Sequence, residues 1–379
     1  MTAVRAIRPH WYFDGSEAHK APVLGMGADG RLAPGEGLPV EDVDGIVLPG
    51  LVNCHTHLEV APVARPAERG FLPWLKGLQA AGGAYTGVDP EKFLAPARDR
   101  ARAMHAAGTG MLGDISNTGM TYAIIREAGM QGVCFHERVG IDQPHHPVLA
   151  DTVPVPHAVY STHPDWIAST GREALARGLP WTIHLDEDPA EAEFLRGEGP
   201  WPGILRAFGR NLSGFHFPGL SPVAYLDALG ALTPAARLVH CVCTGPEDLD
   251  RIANASATVC VCVRSNRWIT GQLPDVVGML QRGIVVVVGT DSLASSPDLD
   301  VLAELAALHR AFPSIPPGIV LSMGTNQAAL EVGPIAIAPT HPLLLVEGPR
   351  TLDDLLDGTV WPRRWLADLD PSHPVEAHR

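Results

Sequence analysis

Lysine is nearly missing from this chain. Only Lys20, Lys76 and Lys92 occur among its 379 residues, and the other members of the 28 basic residues are arginines. Beyond residue 92 there is no lysine for a Schiff base, a phosphate-binding loop or a carbamylated metal bridge. Six cysteines in a chain of this length do not suggest a disulfide framework, and the absence of a Cys-x-x-Cys motif argues against a zinc ribbon.

Other absences narrow the class of protein further. No apolar run is long enough to span a bilayer and no secretory signal pattern opens the chain, so we expect a cytoplasmic location. The net charge of −14 argues against nucleic acid and against a membrane surface as partners. No Gly-x-Gly-x-x-Gly follows a predicted strand, and no phosphate-loop motif occurs, which removes the usual signs of a dinucleotide or ATP site.

Hydrophobic periodicity predicts strands that alternate with helices from residue 46 onward. The strand candidates are 46–53, 109–115, 132–138, 157–161, 181–185, 237–242, 257–263 and 284–289. Eight such strands favour an α/β fold of the TIM type, a (β/α)8 barrel, over an open doubly wound sheet. We expect residues 50–330 to form this barrel. Residues 1–49 and 331–379 would form a small composite β domain from the two termini.

The segment around residue 55 contains a candidate metal-binding motif. His55 and His57 stand two apart after a short apolar run, so on a strand they direct two imidazoles at one point. His184, His240 and Asp291 lie at the ends of the fifth, sixth and eighth predicted strands, where barrels of this type carry their chemistry. Glu187 follows His184 by three residues and could act as the acid/base that a metal-assisted reaction needs.

Taken singly, these residues also have structural explanations. The His-x-His pair could be polar residues at a strand end, His240 could be a hydrogen-bonded core histidine, and Glu187 could be a solvated carboxylate. Five further histidines have no partner pattern and are interpreted as structural: His105, His136, His145, His146 and His216. His163 follows the fourth predicted strand and faces the same end of the barrel. Two interpretations of His163 stand side by side, a contact to substrate and a structural role.

As a set, the motifs resemble the amidohydrolase superfamily, and within it the mononuclear deaminase and chlorohydrolase branch. The motifs are Pro-Gly-Leu-Val-Asn-Cys-His-Thr-His-Leu-Glu, His184-x-x-Glu187, Leu238-Val239-His240 and Gly289-Thr290-Asp291-Ser292. The resemblance implies one divalent metal ion, zinc or alternatively Fe²⁺, bound by His55, His57, His184 and Asp291. It also implies that the terminal pieces form a β-sandwich and that Glu187 is a proton shuttle. His240 would be a partner of the attacking water or of the tetrahedral intermediate.

Finer motifs are similar to those of aminofutalosine deaminases, which deaminate 6-amino-6-deoxyfutalosine in menaquinone synthesis. They include Phe71-Leu72-Pro73-Trp74-Leu75, Phe135-His136-Glu137-Arg138 and Arg264-Ser265-Asn266. The chain departs from this subgroup in two places that leave the metal-site motifs intact: Val263 stands where the subgroup often has proline, and the segment after His184 is unusually acidic. S-Adenosylhomocysteine/adenosine deaminases are close relatives, and a homodimer is an expectation from the family alone.

The resemblance implies hydrolytic deamination of a small amino-heterocycle by water. Glu187 would take a proton from the water and pass it to a ring nitrogen, while His240 and Asp291 hold the attacking oxygen. The candidate substrate contacts are Arg138, Ser161, His163, Arg264 and Asn266. Residues 60–87 after the first strand could form a lid, and a packed surface helix is an equal alternative.

Two other classes of function are kept open. The same metal site could hydrolyse an amide, an aryl halide or another amine, because substrate pockets and not motif spacing decide the bond. A catalytically silent barrel used as a scaffold is disfavoured, because the His/His/His/Asp/Glu set is complete.

Overall fold

The structure, a computed structural model, describes residues 3–35, 37–66, 68–80, 90–143, 149–330 and 342–368. Among these residues, none of the helices combines the length and the apolar character that crossing a bilayer requires. The strands in chain order are β1 Arg5–Arg8, β2 Trp11–Phe13, β3 Ala18–Lys20, β4 Leu24–Met26, β5 Val40–Asp42, β6 Gly45–Pro49, β7 Leu51–Thr56, β8 Thr109–Ser116, β9 Gln131–Arg138, β10 Val153–Pro156, β11 Trp181–Leu185, β12 Ala236–His240, β13 Thr258–Val261, β14 Val286–Val288, β15 Leu343–Glu347 and β16 Arg363–Trp365.

Helices follow most of the parallel strands. They are α1 Phe71–Ala80, α2 Glu91–Ala106, α3 Thr121–Glu127, α4 Pro164–Arg177, α5 Ala190–Leu195, α6 Trp201–Ala207, α7 Pro222–Ala228, α8 Pro246–Asn254, α9 Val263–Ile269, α10 Val276–Gln281, α11 Val301–Ala311, α12 Pro317–Met323 and α13 Leu352–Leu355. Short 3-10 helices span Gln327–Leu330 and Leu366–Asp368. The alternation places apolar helix faces against the sheets, as the predicted β/α rhythm requires.

Eight parallel strands form two four-stranded sheets. One sheet has the order β10-β9-β8-β7 and the other the order β11-β12-β13-β14. Single parallel bridges join the sheets on both sides, between Thr56 and Asp291 and between Ala158 and His184. Every residue of β7, β8, β11 and β13 is buried, since helices and neighbouring strands cover both faces.

A glycine permits the close approach of β14 to β7. A Cβ atom on Gly289 would lie 2.6 Å from the Cβ of His55 and 2.8 Å from its carbonyl oxygen. The backbone N–H of Asp291, two residues later, donates to that same carbonyl at 3.1 Å. Any larger side chain at position 289 would therefore push the two strands that carry the candidate metal ligands apart.

The two ends of the chain meet in a separate β region. A five-stranded sheet has the order β16-β15-β6-β2-β3, and a three-stranded sheet has the order β4-β1-β5. Strand β15 pairs antiparallel with β6 in register Leu343↔Pro49 to Glu347↔Gly45. The two sheets share a hydrophobic cluster that includes Ile7, Leu24, Val47 and Leu345. The pairing places the C-terminal segment directly beside the residues that precede β7.

Two strand predictions need correction. The predicted strand 46–53 is two strands, because Gly50 separates β6, which joins the terminal sheet, from β7, which pairs with β8. The predicted fourth strand 157–161 is a turn, and the strand lies earlier, at Val153–Pro156. The strand contains two prolines, and β10 is hydrogen-bonded as a named strand only to β9.

Candidate functional site

The candidate ligands meet at the carboxyl ends of the parallel strands. His55 lies in β7, His57 follows it directly, His184 lies in β11 and Asp291 follows β14. Two of the site residues have a left-handed backbone, with φ of 76° at His240 and 56° at Asp291. A non-glycine residue in this conformation is strained, and such strain is frequent at functional sites. Here it turns the side chains out of the strand direction.

The three histidines are packed ring against ring. The ring centroid of His55 lies 5.0 Å from the ring centroid of His57 and 4.9 Å from that of His184. One ring nitrogen from each of the three lies within 4.8 Å of the other two. Asp291 Oδ1 is 3.5 Å from His57 Nε2 and 3.8 Å from His55 Nε2. The arrangement brings three nitrogens and one carboxylate oxygen around one point, a donor set that suits zinc.

The protonation of the histidines fits a metal ligand set. Burial and the neighbouring imidazoles lower the pKa of His55 well below its ordinary value, and burial lowers that of His57 to about 3. Burial also lowers the pKa of His184, whose Nδ1 donates to the carbonyl of His157 at 3.1 Å, which leaves Nε2 with its lone pair. Both ring nitrogens of His55 are buried without a hydrogen-bond partner in the described part of the chain. Neutral, desolvated imidazoles with free lone pairs are in the state that metal binding requires.

Asp291 is prepared to be the anionic ligand. Burial acts to raise its pKa, but His57, His240 and two hydroxyl donors lower it below the ordinary value. Ser265 Oγ and Ser295 Oγ donate to Asp291 Oδ2 at 2.6 and 2.7 Å. The hydroxyls occupy one oxygen and leave Oδ1 facing the histidines, which orients the carboxylate.

Glu187 and His240 form a pair on the same wall. His240 Nε2 lies 3.6 Å from Glu187 Oε1. Asn266 Nδ2 donates to His240 Nδ1 at 3.1 Å, so the proton of the neutral imidazole is on Nε2. Burial, together with the nearby carboxylates, raises the pKa of Glu187 well above its ordinary value. A buried carboxyl group with a raised pKa binds a proton more readily than an exposed one, which suits a proton carrier.

These groups open into one cavity of about 300 Å³. Its wall includes His57, His184, Glu187, His240 and Asp291. The lining also includes apolar side chains, among them Phe71 and Trp74 of α1 and Trp201 of α6. The volume is at the lower end of the range for ligand pockets, and the mixture of apolar walls and a few polar groups is typical of a small-molecule site.

Of the five predicted substrate contacts, only Ser161 lines the cavity, where its Oγ lies 2.7 Å from His157 Nδ1. Arg138 lies outside the lining because its two neighbours in sequence face the cavity instead, and its buried Nε has no hydrogen-bond partner among the described residues. His163 is the N-cap of α4 and accepts from the backbone of Asp165.

The other two predicted contacts are occupied elsewhere. Arg264 pairs with Asp298 at 2.8 Å, which holds its guanidinium away from the cavity. Asn266 is fully buried and contacts His240, so it orients a site residue from behind.

The cavity residues that sequence reasoning missed include Asn117, Glu137 and His157. His157 and Glu137 together with His184 make a second group of close metal-capable atoms. A signal was available for Glu137, because it lies within the Phe-His-Glu-Arg motif at the end of a predicted strand. No spacing rule points to Asn117 or His157, which reach the cavity from turns.

The predicted lid is described only in part. Residues 71–80 form α1, which walls the cavity, and Trp74 Nε1 donates to the carbonyl of Ala294 at 2.9 Å. Residues 81–87 lie outside the described residues, as do His145 and His146. Closure of this segment stays a prediction.

Comparison with known proteins finds deaminases of similar sequence. The chain is 27% identical over 327 residues to an aminodeoxyfutalosine deaminase of Deinococcus radiodurans, covering 77% of this chain and 75% of that protein. It is 28% identical over 326 residues to a 5-methylthioadenosine/S-adenosylhomocysteine deaminase of Syntrophobacter fumaroxidans, covering 77% and 68% of the two chains.

Solved structures share the fold. Helicobacter pylori aminofutalosine deaminase, in complex with methylthio-coformycin, superposes with a TM-score of 0.76 at 20% identity and covers 93% of this chain and 95% of that one. Atrazine chlorohydrolase from Arthrobacter aurescens, complexed with zinc, has a TM-score of 0.67 at 18% identity and covers 90% and 87%. At these sequence identities, the similarity shows a shared fold.

A family model described as "Amidohydrolase family" matches residues 46–333, which is most of the chain and includes every candidate ligand. The predicted family is thereby confirmed, and its members bind a metal. The chain belongs to the amidohydrolase family, as a hydrolase that acts on carbon–nitrogen bonds other than peptide bonds.

Proposed function

We propose that this protein hydrolytically deaminates the adenine-like ring of a nucleoside. The observation that carries the proposal is the pair Glu187 and His240, 3.6 Å apart beside three clustered histidines and Asp291 in one cavity. A proton carrier next to a neutral N–H donor and a metal-capable cluster supplies what ring deamination by water needs. The deaminase names of the two relatives described above support the same reading.

Each of these residues has its own role in the reaction. Glu187 takes a proton from the attacking water at its carboxylate and delivers it to a ring nitrogen, and later to the departing amine. His240 donates its Nε2 proton to the oxygen as charge develops on it. Asn266 holds the tautomer that makes this donation available. The apolar walls from α1 and α6 exclude bulk water around these transfers.

The cofactor we propose is one zinc ion, with Fe²⁺ as the alternative. His55, His57, His184 and Asp291 would hold it, and when bound it supplies Lewis acidity that makes water a nucleophile at neutral pH. A second ion in the Glu137, His157 and His184 group is disfavoured, because the Nδ1 proton of His184 is already donated to a carbonyl. Strand β10 contains no lysine that could bridge two metals.

The substrate proposed first is 6-amino-6-deoxyfutalosine, which would place the enzyme in menaquinone synthesis. The subgroup motifs and the aminodeoxyfutalosine deaminase at 27% identity support it. S-Adenosylhomocysteine, 5′-methylthioadenosine and adenosine are the alternatives, supported by a relative at 28% identity. All four carry the same amino-substituted ring and ribose and differ in the 5′ substituent.

The test is ammonia release by zinc-loaded protein with each of these four nucleosides, and with guanine and cytosine as controls. Deamination of the adenine ring also gives the ultraviolet shift from an amino- to an oxopurine. Ammonia with this shift from at least one nucleoside is the expected result. Metal-loaded protein that releases no ammonia from any of them would move the assignment to another bond, such as an amide or aryl halide.

The proton carrier can be tested by Glu187→Gln. The amide cannot transfer a proton, so we expect kcat to fall by roughly 10²- to 10⁴-fold. The zinc content should stay at the wild-type level, because the four proposed ligands are unchanged. Asp188→Asn, which alters the neighbouring carboxylate, is the matched control and should keep most of the activity. Full turnover by Glu187→Gln would remove the proton role from this residue.

We also propose the complete architecture. The two parallel sheets would close into one (β/α)8 barrel, the hydrolase domain of residues 50–330, and the single bridges at both seams support this closure. Residues 1–49 and 331–379 would form a composite β-sandwich domain, supported by the β6–β15 pairing.

A further inference from the structure

One polar pair on the cavity wall has no part in the proton transfers described above. Glu137, at the end of β9, and Asn117, after β8, both line the cavity. Asn117 Nδ2 donates to Glu137 Oε2 at 3.1 Å. Glu137 is only 6% exposed, so its carboxylate is buried against the cavity and not against bulk water. A buried carboxylate aimed into a ligand cavity requires donors.

The pair is held in place from behind by Glu59. The carboxylate of Glu59 accepts hydrogen bonds from Ser116 Oγ and the backbone N–H of Asn117, both at 2.8 Å. It also accepts from the backbone N–H of Thr118 at 3.3 Å and from the Thr118 hydroxyl. One buried carboxylate thus fixes the turn that carries Asn117, which presents a preorganised amide to Glu137.

Glu137 keeps acceptor capacity for a ligand. Its Oε1 lies 3.3 Å from His184 Nδ1, but that nitrogen donates its proton to the carbonyl of His157. Each carboxylate oxygen can accept two hydrogen bonds. Within the described residues the only hydrogen bond found for the side chain of Glu137 is the one from Asn117, so both carboxylate oxygens have room for a donor from the cavity.

We propose that Glu137, oriented by Asn117, binds the vicinal 2′- and 3′-hydroxyls of the nucleoside ribose; this rests on the proposed function. Two adjacent hydroxyls can donate one hydrogen bond to each carboxylate oxygen, which no group on the purine ring can do. The position of Glu137 agrees with ribose binding. Its Oε1 lies beside Nδ1 of His184, and only the width of that imidazole ring separates it from Nε2, the atom that would face the metal. An ammonium group at the end of a 5′ chain would lie beyond the whole ribose, farther from that centre.

The proposal makes Glu137 a determinant of sugar specificity. A site built for a diol leaves a buried acceptor unpaired when one hydroxyl is missing. We therefore expect the wild type to favour adenosine over 2′-deoxyadenosine and 3′-deoxyadenosine by roughly 10- to 100-fold in kcat/KM, the range expected for hydrogen bonds to a charged group.

The experiment combines these three substrates with three variants. Glu137→Gln should lower kcat/KM for adenosine far more than for the deoxynucleosides, so that the ratio collapses toward one. Asn117→Ala should reduce the ratio in part, because Glu137 remains but is no longer oriented. Glu127→Gln, the same chemical change at a largely exposed position of α3, should leave the ratio unchanged. Calorimetric binding of inosine and 2′-deoxyinosine to the metal-loaded proteins gives a second readout without turnover.

The outcomes distinguish a failure of the ribose assignment from a failure of the proposed deaminase function. Equal kcat/KM for all three sugars in the wild type would overturn the ribose assignment and leave the deaminase intact. Loss of zinc from Glu137→Gln, or an equal fall for every sugar, would overturn it too and make Glu137 a support for His184. No ammonia from any nucleoside, including those with 5′ substituents, would remove the proposed function itself.

Discussion

At the scale of single residues, the buried carboxylate of Glu191 determines where Glu187 points. Its oxygens accept from the backbone N–H groups of Glu187 at 2.9 Å and Asp186 at 3.1 Å. Asp186 has a left-handed φ of 52°, a conformation that has to be held by its surroundings. Glu191 is thus a positioning residue for the proton carrier.

Replacing Glu191 should damage both stability and turnover. Glu191→Ala leaves two buried N–H groups without acceptors, so we expect the free energy of unfolding to fall by about 1–3 kcal/mol. We expect kcat to fall as well while the zinc content is kept, because no proposed ligand changes. Glu193→Ala, on the same helix α5, is the control. Urea unfolding and steady-state kinetics check this, and a Glu191→Ala protein as stable as the control would contradict it.

A site residue could be predicted from the sequence only if a local pattern places it at the cavity. His55 and His57 are recognisable because a period of two on a strand directs both rings to one side. His184 and Asp291 stand at strand ends and could be found in the same way. Asn117, by contrast, reaches the cavity from a turn held by Glu59, and no local pattern encodes a contact between residues this far apart in sequence.

At the scale of elements, the errors in prediction follow from tertiary context. The predicted fourth strand begins four residues too late, and the observed strand contains Pro154 and Pro156, residues that are rare inside sheets. Prolines are tolerated here because β10 lies at the edge of its hydrogen-bonded sheet. The shift matters for the site, because it places His157 in the turn after the strand, where its carbonyl fixes the tautomer of His184.

Helix α11 contains a carboxyl group that should make stability depend on pH. Glu304 is fully buried and accepts a hydrogen bond from the backbone N–H of Arg264 at 3.1 Å. Burial raises the pKa of Glu304 from 4.5 to about 7, against the opposing effect of Arg264. Because the folded-state pKa is the higher one, this contribution to stability is complete below about pH 4.5 and is lost as the pH rises through about 7.

Glu304→Gln removes this titration and keeps an acceptor for the backbone of Arg264. The difference in unfolding free energy, variant minus wild type, should therefore become more positive between about pH 5 and about pH 8. Urea denaturation at the two pH values measures it, and Glu193→Gln is the control for a change of carboxylate to amide. A difference that does not change with pH would show that Glu304 does not titrate in this range.

At the scale of the whole molecule, strands from the N-terminal and C-terminal parts of the chain pair in one sheet. The strand-like segment 342–346 was predicted to join the N-terminal strands, and β15 does pair with β6 across nearly the full length of the chain. What the sequence could not indicate is how this terminal sheet is attached to the helices around the site. One point of that attachment is a buried arginine in β16.

Arg363 is that arginine, and its removal is the sharpest test of the attachment. Its guanidinium donates to Asp300 Oδ1 at 2.7 Å and Oδ2 at 2.8 Å, and to the carbonyl of Ala107 at 2.7 Å. Asp300 in turn caps α11 by accepting from the backbone of Leu302 at 2.9 Å. Arg363→Ala removes the cationic partner of this carboxylate, so we expect a loss of about 3–5 kcal/mol in unfolding free energy.

Two further variants separate the bidentate pair from charge alone. Arg363→Lys keeps the charge but not the two parallel hydrogen bonds, and should fall between wild type and Arg363→Ala. Arg364, the next residue, is 47% exposed and pairs with Glu347 at 3.1 Å, so Arg364→Ala should change stability by less than about 1 kcal/mol. Urea unfolding of the three proteins ranks them. Equal losses from Arg363→Ala and Arg364→Ala would mean that strand pairing, and not the buried ion pair, holds the C-terminal sheet in place.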